Sequence, residues 1–117
     1  MPHFIIDCSE NILNFKSPQE IMQCVYDTAE STNLFAKSGV GGIKVRINSF
    51  RHFITVNSQD DFIHIFAYIM EGKTVEQKKD LSKKIVTRLS LMFPHVPVIS
   101  INIQDFEKET YCNKSMI

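Results

Sequence analysis

The sequence predicts an α+β fold: two β-α-β units sharing one four-stranded sheet, with both helices on one face. Three observations carry that reading. Two complete helix-start boxes, SPQE and TVEQ, occur in the chain. Each follows an apolar strand-like run, MPHFIID or FIHIFAYIM. Each helix is then followed by a run alternating Ile or Val with polar residues, GIKVRIN or VISINIQ.

The first strand spans Pro2 to Asp7, with Phe4 and Ile6 on one side and Ile5 on the other. In the first box Ser17 is the cap, Pro18 suits the first helical position, and Glu20 closes the box. The helix buries Ile21, Val25 and Ala29, with Met22 and Tyr26 widening the stripe, and should run to about Leu34. SGVGG breaks the pattern, and Ile43, Val45 and Ile47 then face opposite Lys44, Arg46 and Asn48 on a half-buried strand. FRHFITV either continues this strand or folds back as a hairpin, and NSQDD reads as a turn.

FIHIFAYIM is apolar on both faces, as a central strand covered on both sides would be. Thr74 caps the second helix with Gln77 as its partner; Leu81, Ile85 and Leu89 form its core stripe, and Pro94 stops it. The last strand turns Ile99, Ile101 and Ile103 inward, with Ser100, Asn102 and Gln104 opposite. Two right-handed crossovers in this order satisfy the connection rules and give a ferredoxin-like arrangement, one domain over residues 1–117. The sheet face away from the helices is mixed: polar on two strands, apolar on the strand at 62–70. Such a face is usually covered by another copy, so a homo-oligomer is expected.

The 117 residues suffice for a hydrophobic core, and 13 basic residues balance 13 acidic ones, which points away from nucleic acid and anionic membranes. Without a long apolar run or a basic-then-apolar leader, neither a spanning helix nor a signal peptide is expected. Cys8, Cys24 and Cys112 are scattered and odd in number, as reduced thiols of a cytoplasmic protein would be. The four histidines show no ligand spacing, so no metal site is expected. GVGGIK lacks the spacing and the Ser/Thr of a phosphate loop.

Two features break local rules. Lys73 places a cation just before a helix N-terminus, where the dipole favours an anion. A solvated turn lysine is the plainer account of it. Together with Lys44 and Arg46, however, it supplies three cations for a carboxylate-bearing ligand in a chain of zero net charge. Pro2 is the second feature. Proline at a strand's first residue is ordinary, since it has no N–H to offer the ladder. Yet methionine before a small residue is normally trimmed, which would leave a secondary amine on Pro2. An α-amine titrates near about 8; apolar walls and neighbouring cations lower that, making a general base that can return its proton elsewhere.

MPHFIIDCSENI, GGIKVRI and FIHIFAYIMEGKT, in that order, resemble the 5-carboxymethyl-2-hydroxymuconate delta-isomerases of the tautomerase superfamily. The resemblance covers most of the chain and is poorest after Phe106. It implies a homotrimer whose sheets form a central barrel, no cofactor, and Pro2 as general base and acid converting an unsaturated hydroxy carboxylic acid to its keto isomer. Two of the family's arginines fall on Lys44 and Lys73, and Arg46 matches the second arginine of the family's Gly-Ile-Arg-x-Arg strand. Lysine keeps the charge but offers a point contact where arginine offers a fork, so the acid bound could differ. Two alternatives stand beside this isomerase: a non-catalytic binding or signalling module on the same fold, and a regulatory domain binding a small metabolite at an oligomer interface.

Overall fold

The computed structural model describes residues 1–57 and 60–117. Its core elements are β1 (His3–Ser9), α1 (Pro18–Ser31), β2 (Lys44–Phe50), β3 (Phe62–Met70), α2 (Val75–Met92) and β4 (Val98–Phe106). The strands form one mixed sheet in the order β2-β1-β3-β4. β1 runs parallel to β2 and antiparallel to β3, which is parallel to β4. This is the arrangement two β-α-β units produce, and it matches the sequence expectation.

Alternation decides which face is the core. Phe4, Ile6 and Cys8 of β1 and Ile63, Ile65, Ala67 and Ile69 of β3 are buried. All but Ile69 cluster with Ile21, Val25 and Ala29 of α1 and Leu81, Ile85 and Leu89 of α2. Each fully buried Ile or Leu side chain contributes about 1.5–3 kcal/mol relative to exposure. Both helix starts are capped as read: Ser17 Oγ accepts from the Glu20 N–H at 3.1 Å, and Thr74 Oγ1 from the Gln77 N–H at 3.1 Å. The reciprocal bonds, Ser17 N–H to Glu20 and Thr74 N–H to Gln77, close both boxes.

The structure differs from the sequence reading at three places. α1 stops at Ser31, short of Leu34. There the Thr32 hydroxyl donates to the Ala29 carbonyl at 2.6 Å, and Asn33 takes a left-handed conformation with φ 58°. Asn tolerates that conformation and ends helices by it. A 3-10 turn at Glu10–Asn14, unmarked by any period, drives Ile12 into the core. β2 ends at Phe50, with no strand at 51–57, so neither the longer strand nor the hairpin forms among the described residues. The turn expected at NSQDD includes Ser58 and Gln59, which lie outside the described residues.

On the open face β3 presents Phe62, His64, Phe66, Tyr68 and Met70, all half-buried, beside His3, Ile5 and Asp7 of β1. In β4, Ser100 Oγ and Asn102 Oδ1 each lie 2.7 Å from a ring nitrogen of His64. The amide oxygen can only accept, so Nε2 donates to Asn102 and Nδ1 is left to accept from Ser100.

Candidate active site

Pro2 stands one residue before β1, where its missing N–H removes nothing from the ladder, and it is buried. Its carbonyl accepts from the Lys44 N–H at 3.0 Å, tying the amino terminus to the first residue of β2. The antiparallel β1–β3 pairing brings the end of β3 to the same corner, because His3 lies opposite Tyr68. Just beyond β3, Gly72 turns the chain with φ 119°, a conformation L side chains rarely adopt. Lys73 follows at once, ahead of the Thr74 cap.

A hollow of about 180 Å³ opens here, lined by Met1, Leu34, Phe35, Ala36, Gly41, Met70 and Lys73. Its walls are largely apolar, and Phe35 is braced edge-on against the buried Phe4 ring at 6.1 Å. The α-amine, carried by Met1 in the chain as translated, is held below its ordinary value. Burial is the largest cause, followed by the Lys44 and Lys73 charges. An amine so placed loses its proton more readily than one in water.

The two lysines are held differently. Lys44 Nζ donates to the carbonyls of Gly42 at 2.8 Å and Val40 at 3.3 Å, leaving one of its three hydrogens for a ligand. Lys73 makes no hydrogen bond or ion pair among the described residues and lines the hollow directly. Arg46 lies two residues along the open face, outside the hollow. Its Nη1 donates to His3 Nδ1 at 3.1 Å. The His3 ring is correspondingly held below its ordinary value, by burial first and then by Arg46 and Lys44.

The structure therefore gathers Pro2, Lys44 and Lys73 at one corner and joins Arg46 to them through His3. Sequence reasoning passed over His3 as one of four scattered histidines. It also passed over the tail, which has no periodicity but brings Tyr111 to Phe106, ring centres 6.2 Å apart. Phe106 meets His3 edge-on at 6.0 Å, so the tail closes one side of the corner with aromatic surface. Its only local signal is a Tyr shortly beyond the Phe that ends β4. Among the described residues no group of three metal-ligating side chains occurs. No helix there is long and apolar enough to cross a membrane.

A sequence model described as 5-carboxymethyl-2-hydroxymuconate isomerase matches residues 2–117. No curated protein sequence matches the chain. Among solved structures, a 5-carboxymethyl-2-hydroxymuconate isomerase from Deinococcus radiodurans R1 is similar with a TM-score of 0.80 at 22% identity, covering 97% of this chain and 88% of that one. A 5-carboxymethyl-2-hydroxymuconate delta-isomerase superposes with a TM-score of 0.76 at 14% identity, over 97% and 87% of the two chains. The W0 fused 4-OT wild-type symmetric trimer does so with a TM-score of 0.73 at 15% identity, over 97% and 94%. At these identities the structural likeness establishes the fold.

Proposed function

The chain belongs to the 5-carboxymethyl-2-hydroxymuconate isomerase family, and on that premise we propose that it is a cofactor-independent keto-enol isomerase whose base is the secondary amine of Pro2, freed by removal of Met1. The observation that carries this reading is the buried Pro2 at the head of β1, tied to Lys44 through its carbonyl. The α-amine one residue ahead, on Met1, is held below its ordinary value by burial and by the Lys44 and Lys73 charges, surroundings the Pro2 amine would share. A neutral amine takes the enol O–H proton of an unsaturated carboxylic acid. The electron pair left on oxygen collapses to the ketone and pushes density to the far carbon of the conjugated system, and the ammonium returns the proton there. Proton and charge balance without a co-reactant. Lys73 and the free hydrogen of Lys44 bind the substrate carboxylates, while Arg46 orients through His3.

The open sheet face supports a homotrimer. Its half-buried aromatic residues would otherwise meet water, and the fused 4-OT relative is described as a trimer. Light scattering on the purified protein tests the stoichiometry, and a monomer overturns it. Three unpaired cysteines suit a reducing compartment such as the cytoplasm.

Intact mass spectrometry together with ultraviolet assay on a panel of dienol dicarboxylates tests the function. Loss of Met1 and a sharp fall in turnover in Pro2→Ala are expected. Retained Met1 with unimpaired turnover overturns the assignment. A second reading, binding without turnover, is favoured by the two carbonyls that hold Lys44. Saturable binding of the same acids without spectral change would establish it.

A further inference from the structure

A larger hollow lies away from the amine, on the outer helical layer. It measures about 300 Å³ and is lined by Thr28 and Ser31 of α1 and by Lys83, Lys84, Thr87 and Arg88 of α2. We infer that this cleft between α1 and α2 is a binding site for a small phosphate monoester that also carries a free hydroxyl.

Charge is the first argument. The chain as a whole is neutral, but α2 concentrates Lys78, Lys79, Lys83, Lys84 and Arg88 against only Glu76 and Asp80. Three of these cations border the cleft, and no carboxylate lines it among the described residues. Lys84 and Arg88 are one helical turn apart, a like-charge spacing that weakens a helix. Asp80 relieves Lys84 through an exposed pair at 2.9 Å, which a bound dianion can displace. Lys83 and Arg88 have no hydrogen-bond or ion-pair partner among the described residues. A phosphate monoester offers a double charge and three terminal oxygens to two ammonium groups and one guanidinium fork. A single carboxylate would leave cations unmatched.

The opposite wall supplies the second argument. The Thr28 hydroxyl donates to the Cys24 carbonyl at 2.7 Å, and the Ser31 hydroxyl to the Thr28 carbonyl at 2.6 Å. With its proton committed, the exposed Ser31 oxygen is left to accept, so a ligand meets it with a donor, while the buried Thr28 contributes wall. One side therefore selects an anion and the other an O–H. Because the site lies on the helical layer, it stays open when copies associate through the sheet face, and it needs neither Pro2 nor the isomerase reading.

Amide chemical-shift mapping with glycerol 3-phosphate as probe, beside inorganic phosphate, glycerol, succinate and a short single-stranded oligonucleotide, tests the inference. Glycerol 3-phosphate is expected to saturate with shifts confined to residues 28–31 and 83–88. Inorganic phosphate should bind at least threefold more weakly, and succinate and glycerol at least tenfold. Lys83→Ala with Arg88→Ala, both exposed and outside the core, should weaken glycerol 3-phosphate binding at least tenfold while melting temperature and enol-acid turnover are retained. Equal binding of succinate overturns the phosphate assignment. Shifts spread along the whole of α2 with the oligonucleotide, at affinity matching glycerol 3-phosphate, overturn the small-molecule site. Shifts centred on Lys44 and Lys73 overturn its location.

Discussion

The Arg46 guanidinium donates to Nδ1 of His3 across 3.1 Å, and this bond joins the cationic face of β2 to the residue next to Pro2. The ring nitrogen must be unprotonated to accept it, so the pair favours neutral His3. Arg46→Ala is expected to raise the pKa of His3 only part of the way back, because burial is the larger cause and remains. Ring-proton NMR titration checks this. The same pair makes a statement about stability. Folded His3 binds its proton less tightly than the unfolded chain does, so acidification through about 6.5 favours unfolding. The loss is complete once pH falls below the folded value. Arg46→Ala should flatten that slope in urea melts at successive pH values.

Pro2→Ala keeps an amine but loses the restrained ring, and kcat/KM should fall by about 10²–10⁴-fold, the usual worth of a general base. Turnover at the wild-type rate would remove Pro2 from the mechanism.

Lys73→Ala withdraws one of the charges that depress the α-amine on Met1 and that the Pro2 amine of the proposed mechanism would also face. Its pKa should rise, so the acid limb of the kcat/KM profile should move to higher pH, with KM raised as well. Lys73→Arg should restore both. A limb that stays in place would mean that Lys73 does not sense the amine in solution.

The two capping boxes separate stability from function. Ser17→Ala and Thr74→Ala should each destabilise by about 1 kcal/mol in denaturant melts, the usual worth of an N-cap side chain. Only Thr74→Ala should also raise KM, because Thr74 fixes the turn that holds Lys73.

Cys8 is fully buried, and its thiol is pushed up to about 11 by burial, then by the carboxylates of Asp7 and Asp61. It should resist thiol reagents at pH 8 until the protein unfolds. Cys112 is exposed and should react first. Fast labelling of Cys8 in the native state would reveal local opening of β1.

What the sequence showed in advance was whatever is encoded locally. Both capping boxes, the shared side of Phe4 and Ile6 opposite Ile5, and the Leu81, Ile85 and Leu89 stripe follow from spacing alone, and all appear as read. Lys73 stood out as a cation just ahead of a helix N-terminus, and Lys44 because it shares a strand face with Arg46. The bonds from Lys44 to Val40 and Gly42 depend on how the glycine loop folds back, which no period records. The same holds for His3 with Arg46 and for His64 with Ser100 and Asn102, pairs brought together by register across strands far apart in sequence. Asn33 was legible as a helix stop, since Asn favours the left-handed conformation it takes, but the apolar Leu34 beyond it masked the signal.

Because β1 and β3 are antiparallel neighbours, each flanked by a parallel partner, the sheet repeats itself under a half-turn about its centre. Its two rims are thus built alike and equipped differently. One carries Pro2, Lys44 and Lys73. The other, where β1 ends and β3 begins, is latched by the Ser9 hydroxyl and the Asn11 amide, both donating to the Asp61 carboxylate at 2.8 and 2.9 Å. The latch therefore sits at the end of the sheet opposite the proposed site, so loops at the first rim can change shape without touching it.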